Sequence, residues 1–448
     1  MFSPGVFLTR TISRHPRGDT VLRILSAAIN AVEPGNAVRN FVRRDRNILS
    51  VDGRDYALNE FRSIYILGVG KAAPAMTRAL AGLLGDKTLS GLVISKHNDT
   101  PPSGSIEQLQ GGHPIPDVRS LRAGQKTINL LKRVNEGDLL ICLISGGGSA
   151  LMTAPLPGIG LDEIKTLTTA LLRCGARIDE INTIRRHVDR LKGGGVARMA
   201  APARTVSLIL SDVVGNPLEA IASGITAPDP STREEALGII SRYGLENIVS
   251  PQILRALREA PETPKPGEKL FARVQNVLVG SNLIAAQSAL EQATREGFST
   301  FLMRTDLQGE AREIGKTLSQ DLRHILQTGQ PAARPFCMVA GGETTVTVRG
   351  NGKGGRNQEL ALAAVPELAN LSNVMLVTLA TDGEDGPTDA AGAVVTAETL
   401  ERGQKLGLFP QAFLDNNDAY RYFNSLDDLL KPGPSGTNVN DLTFIFGF

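Results

Sequence analysis

Residues 138–152, DLLICLISGGGSALM, constrain the fold of this chain more than any other stretch. Leu139–Ile144 is short, apolar and partly β-branched, and it stops at glycine. That combination reads as a strand buried on both faces of a parallel sheet. Gly146, Gly147 and Gly148 let the backbone turn sharply and approach a ligand closely. Ser145 and Ser149 flank them, and the chain turns apolar again at once. A turn with this many N–H donors suits a phosphate or carboxylate. A bare strand-to-helix turn explains the same residues, and one glycine turn does not decide between the two.

The pattern recurs along the chain. Residues 64–67 form a strand that runs into Gly68-Val69-Gly70-Lys71 and then an alanine-rich helix. The third glycine of a dinucleotide fingerprint is missing, and so is Walker A spacing. What remains is a long cation, Lys71, at the mouth of a glycine turn, suited to an anionic ligand. Residues 205–210 form a strand ending in Ser211-Asp212. A carboxylate there sits at the carboxyl edge of the sheet, where open α/β sheets bind ligands. Asp212 is therefore a metal or phosphate-site candidate, or else it caps the next helix. A helix over 178–191 carries Arg185, Arg186, Arg190 and Lys192, either a solvated basic face or a second phosphate contact. His113, in the rigid loop GGHPIP, is a weaker candidate for ligand contact or general base.

The second half repeats the theme. A strand over 336–340 enters Gly341-Gly342-Glu343, and 344–348 reads as a further strand. Gly350 to Glu359 is a glycine-rich loop that carries Lys353, Gly354, Gly355 and Arg356 into a helix. An arginine in that position can clamp a carboxylate or phosphate through two parallel hydrogen bonds. A strand over 375–380 ends in TDGEDGPTD, where Asp382, Glu384, Asp385 and Asp389 cluster without EF-hand spacing. Few carboxylates with water-rich coordination suit Mg²⁺. Alternating strands and helices predict a doubly wound α/β fold. We place a Rossmann-like domain at 1–240 and a second α/β domain at 241–448, with the hinge inside 228–269. Residues 1–18 read as a poorly ordered leader.

Bulk properties exclude several classes. With 448 residues, 41% of them hydrophobic, the chain can bury two or three cores. Its net charge of +2, absence of Trp and 4% aromatic content argue against a nucleic-acid partner. No run approaches the roughly 20 apolar residues of a membrane span. Cys142, Cys174 and Cys337 are scattered and odd in number, so they read as small hydrophobes in a reducing, cytoplasmic compartment.

Together the motifs describe an anionic site: glycine loops, cations and carboxylates at strand ends, as phosphoryl transfer needs. GVGKAA, ISGGGSALM, SDVVGNPLEAIASGITAPDPST, GGETTVTVRGNGKGGRNQELAL, TDGEDGPTDAAGAVV and SGTNVNDLTFIF together resemble the type-2 glycerate kinases, over nearly the whole chain beyond residue 18. The resemblance implies a Rossmann-like domain joined to a C-terminal MOFRL domain, with an active site in the interdomain cleft. It implies ATP- and Mg²⁺-dependent phosphorylation of D-glycerate at its 2-hydroxyl, and a homodimer is compatible with it. The family's essential lysine falls on Lys71 and its essential arginine on Arg356. Asp212, Glu343, Asp382 and Asp385 are metal candidates from position and charge. Residues 145–149 with Lys353, Gly354 and Gly355 are candidates for nucleotide phosphates. Two alternatives stand beside this reading: an NAD(P)H-dependent hydroxypyruvate reductase, and a non-catalytic sensor of sugar-acid phosphates.

Overall fold

The computed structural model describes residues 2–85, 89–97 and 105–448. The chain divides into two compact units, 34–279 and 1–33 together with 280–448. The boundary thus falls at 279/280, not at 240/241 or within 228–269. The helices Arg233–Arg242 and Pro251–Glu259, which lie inside 228–269, belong to the first unit. They bury Ile240 and Leu257 with Leu171 and Ile184 of its other helices.

The unit 34–279 opens with a three-stranded antiparallel sheet, β1 (Val42–Asp45), β2 (Ile48–Val51) and β3 (Arg54–Ala57). The tight turn at Asp52-Gly53 joins β2 to β3, both residues with positive φ as a two-residue hairpin needs. The main sheet has the order β6-β5-β4-β7-β8-β9. Its strands are β4 (Ile64–Val69), β5 (Leu89–Ser95), β6 (Ser105–Gln110), β7 (Leu139–Ile144), β8 (Arg204–Leu210) and β9 (Val274–Gly280). Neighbours from β6 through β8 pair in parallel. Every residue of β4 and β7 is buried, as expected of central strands covered on both faces. From β4 the chain winds outward through β5 and β6, then returns to add β7 and β8 on the other side. The β4/β7 pair is therefore the topological switch point, where doubly wound sheets open a crevice at their carboxyl edge. The Gly68–Lys71 and Ser145–Ser149 turns are the two loops that leave that point.

The other unit holds a mixed six-stranded sheet, order β10-β11-β15-β12-β13-β14. Its strands are β10 (Ser299–Leu307), β11 (Phe336–Gly342), β12 (Val374–Ala380), β13 (Gly392–Thr396), β14 (Leu429–Leu430) and β15 (Asp441–Gly447). The last strand, β15, inserts antiparallel between β11 and β12. Residues 344–348 do not form a strand. Thr345 makes one bridge to Glu310, and Thr347 hydrogen-bonds the Glu310 carboxylate at 2.6 Å, so the segment follows a helix start and, among the described residues, pairs with no strand.

Residues 2–18 are ordered and are not a loose leader. Thr9 caps the short helix Arg10–Arg14, whose Ile12 is fully buried, and Phe7 is buried beside it. Thr11 donates to the Asp428 carboxylate at 2.7 Å, and Arg402 pairs with the same group at 2.7 Å. The next helix, Gly18–Val32, packs on Asn282–Arg295, and Arg23 forms a fork on Glu296 at 2.6 and 2.8 Å. That Arg23 contact, against weaker desolvation, holds Glu296 down at about 2. A depressed carboxyl stabilises the fold above its unfolded pKa and loses that contribution as pH falls toward 2. Glu296→Gln is therefore expected to cost about 1 kcal/mol at pH 7 in urea denaturation. The gap to the parent should close as pH falls from about 4.5 toward 2.

Among the described residues, no helix is long and apolar enough to cross a membrane. The three cysteines are free; burial drives the Cys142 thiol up to about 12 and raises that of Cys337 as well, so neither is a ready thiolate ligand.

Candidate functional site

In the unit 34–279, the two switch-point loops are bonded to each other. Lys71 N donates to Gly146 O and Ala72 N to Ser145 Oγ, both at 3.0 Å, while Ser145 N donates to Val69 O. Ser145 is 1% exposed, so its hydroxyl holds the Lys71 turn and does not face an open phosphate site. Gly70 has φ +124°, and a Cβ there would lie 2.2 Å from Ser145 Oγ. The N–H groups of Gly146, Gly147, Gly148 and Ser149 have no partner among the described residues, which leaves a run of donors free for an anion.

Three side chains surround that run. A Cβ on Gly146 would meet Asp212 Oδ2 at 2.0 Å, and one on Gly147 would meet the His113 ring at 3.0 Å and Lys71 Cε at 3.6 Å. Lys71 is exposed and its ammonium has no partner among the described residues. Burial raises the Asp212 carboxyl above its ordinary range, with Lys71 opposing. Burial lowers His113, and Lys71 and Lys96 push the same way, so the neutral imidazole is favoured. The structure thus brings Lys71, Asp212 and the SGGGS turn together, with the weaker candidate His113 beside them. The cause is a loop closing over the sheet edge, since sequence offers only a lone histidine.

In the other unit the centre is Arg356. Its Nη1 donates to Glu343 at 2.9 Å, and Nε and Nη2 both donate to Asp441. Desolvation would lower Arg356, but Asp441, then Glu343 and Asp385, outweigh it and hold the guanidinium above its ordinary pKa. Sequence reasoning missed Asp441. The antiparallel β15 sets its first residue, Asp441, opposite Gly342 and Ala380, the last residues of β11 and β12. A strand start thereby lands on the edge where Glu343 and Asp382 also emerge. The signal was the quoted SGTNVNDLTFIF motif, but its strand direction was not readable.

Asp385 behaves differently from the expectation of a metal ligand. It is 2% exposed, and its oxygens accept from Asn357 N at 3.2 Å and Gln358 N at 2.9 Å, closing the start of the helix Arg356–Leu368. Burial, helped by Asp441, raises it to about 7 despite those donors. Asp382 is half-buried, and burial, then the Asp441 charge, raises its carboxyl too. Lys353 lies 4.3 Å over the Tyr420 ring, and its N–H donates to Asp418 at 3.0 Å. Arg349, Gly350 and Asn351 spend their N–H groups on Asn416 and Asn417. Among the described residues, Gly354, Gly355 and Arg356 keep N–H groups without partners, so the cradle narrows to the end of the loop.

Glu343, Asp382 and Asp441 face one arginine. Hard oxygen donors with excess negative charge fit a divalent cation such as Mg²⁺, which needs only one or two carboxylates when a phosphate supplies the rest. A self-sufficient cage of three or more His, Cys, Asp or Glu side chains does not occur among the described residues.

Residues 20–258 match a domain family of unknown function, DUF4147, and 336–441 match the MOFRL family. A protein of Thermotoga maritima named D-glycerate 2-kinase is 39% identical over 422 residues, covering 94% of this chain and 96% of its own. The chain belongs to the glycerate 2-kinase family. A crystal structure of glycerate kinase from Thermotoga maritima superposes with a TM-score of 0.86 at 38% identity, covering 96% of this chain and 99% of that one. A relative from Agrobacterium vitis, 38% identical over 94% of this chain and 93% of its own, carries the name of a hydroxypyruvate reductase. The glycerate 2-kinase family thus spans both units, and the two matched segments contain Lys71 and Arg356 respectively.

Proposed function

We propose that this protein is an ATP-dependent kinase that transfers a phosphoryl group to the 2-hydroxyl of D-glycerate, giving 2-phosphoglycerate and ADP. The unpartnered ammonium of Lys71 beside the free N–H groups of residues 146–149 carries this reading, because phosphoryl transfer is catalysed chiefly by positioning and charge neutralisation. The N–H groups of 146–149 and of 354–356 hold phosphate oxygens. Lys71 and Arg356 offset charge on the transferring group. Asp212, whose raised pKa suits a proton acceptor, takes the hydroxyl proton, with neutral His113 next to the same turn. Mg²⁺, held through Asp382, Glu343 or Asp441, would neutralise phosphate charge. A cytoplasmic enzyme fits the reduced cysteines.

Incubation with MgATP and D-glycerate, L-glycerate or glycerol tests this. ADP release with D-glycerate and phosphate on the 2-position are expected. ADP at the ATP-only background defeats the kinase reading, and a 3-phosphate product defeats its regiochemistry. NADPH oxidation by hydroxypyruvate supports the reductase instead, for which the Agrobacterium vitis relative is the reason to look.

The glycine turns separate structural from ligand roles. Gly70→Ala drives a Cβ into the Ser145 backbone and is expected to destabilise by about 3 kcal/mol or more. Gly147→Ala, at φ +84° against movable side chains, should cost about 1 kcal/mol and raise the KM for ATP about tenfold. Urea midpoints and KM measured on both variants check the contrast.

A further inference from the structure

The basic helix Ile178–His187 and the turn after it are not one surface. Arg186 is 5% exposed and pairs with Asp229 at 2.8 Å. His187 bonds Glu262 at 2.8 Å. Lys192, also buried, holds Asp189 Oδ2 at 2.8 Å, while the remaining Asp189 contacts are the N–H groups of Ala154 and Leu191. Those charges are spent on the fold. Arg185 is different. It is half-buried, and its guanidinium has neither hydrogen-bond nor ion-pair partner among the described residues. Burial alone pulls its pKa below the ordinary value, and no carboxylate contact counters it. Leaving a guanidinium half out of water and unpaired is costly unless a ligand completes it.

Arg185 lines a pocket with Ser149, Thr153, Thr168, Asp189 and Lys192. Ser149 belongs to the SGGGS turn, so this pocket adjoins the proposed phosphate cradle. Asp189 and Lys192 cancel, which leaves one net positive charge; of the pocket's hydroxyls, Ser149 Oγ bonds Ser223 Oγ at 2.8 Å and Thr153 Oγ1 donates to Ser149 O at 3.5 Å. Its apolar wall includes Leu167 and Val188 and its cavity is about 20 Å³, which excludes a polyphosphate chain and admits at most the acid group of a ligand whose body lies outside it. Arg356 already has two carboxylate partners, whereas the Arg185 fork is vacant.

We infer that Arg185 is the residue that recognises the substrate's carboxylate, its fork binding the acid group of a short 2-hydroxy acid while Ser149 lies toward the hydroxyl end. This rests on the kinase reading above, in which Arg356 offsets charge on the transferring group. Neutral polyols of the same length are then poor substrates because they leave the guanidinium unpaired.

The test is kinetics and binding on Arg185→Gln and Arg185→Lys. For R185Q, the KM for D-glycerate should rise roughly 10- to 100-fold, with KM for ATP changed less than about threefold. The preference for D-glycerate over glycerol should fall by at least about tenfold. R185K should lie between R185Q and the parent, since a lysine keeps charge but not the fork. Thermal midpoints should not drop, because no internal bond is lost. An unchanged KM for glycerate, or a rise confined to ATP, overturns the assignment. Should R185Q not fold, R185K decides by the same criteria. Calorimetric titration with D-glycerate alone separates the two claims. Glycerate binding by the parent but not by R185Q, without turnover in either, would defeat the kinase and keep Arg185. ADP production with equal glycerate affinity in both would do the reverse.

Discussion

Lys71→Ala is expected to lower kcat about 10³-fold with D-glycerate and MgATP, while thermal and urea midpoints stay within error of the parent. The reason lies in what the side chain touches. Its ammonium is exposed and has no partner among the described residues, so truncation removes no internal bond and leaves no buried group unpaired. The backbone of residue 71 does the structural work, donating to Gly146 O, and alanine keeps that bond. Lys71→Arg should recover little, because a planar fork cannot reproduce a compact point charge beside Gly147. A folded Lys71→Ala protein with near-parental turnover would remove Lys71 from the reaction.

Arg356→Ala is expected to fail in two ways at once. Catalysis should fall by about 10³-fold or more, as for loss of a charge-stabilising arginine. Stability should fall too, by about 3 kcal/mol, because Asp441 is 8% exposed and loses its cation. The pH dependence identifies the cause. Burial already raises Asp441, and Arg356 is what opposes it. Without Arg356 the folded pKa rises further, so the variant's deficit grows as pH climbs above the unfolded carboxyl range and shrinks in acid, where Asp441 is neutral. Arg356→Ala with Asp441→Asn should regain most of the stability and none of the turnover. Urea melts at pH 5 and pH 8 on the single and double variants check both statements. If the double variant is no more stable than the single one, Asp441 is not the source of the loss.

Much of this was readable from residue order alone, and the readable parts share a property. The β4 and β7 runs and the glycine turns that end them are local: an apolar run and glycine suffice to specify each. The readings that changed depend on a partner distant in sequence. Arg10 and Thr11 look like part of a leader until Asp427 and Asp428 accept from their N–H groups. TTVTV has the alternation of a strand, yet it lies along the Glu310 helix start and accepts from Asn417 instead of pairing as a strand. Asp385 looks like one of four acids in a turn, and becomes a cap because the helix Arg356–Leu368 begins beside it.

By itself the sequence determined the class of chemistry: glycine turns at strand ends, Lys71 and Arg356 at their mouths, and carboxylates nearby, in motifs long enough to name a family. It did so because backbone approach to a phosphate requires glycine and charge neutralisation requires a cation, and both are visible as letters. Only the tertiary structure decided which of those charges remain available. Arg186, Lys192 and Ser145 are consumed by the fold, Arg185 and Lys71 are not, and Asp441 reaches Arg356 because one strand runs antiparallel. Whether a charge is free depends on pairing across long stretches of chain, and no local pattern records that.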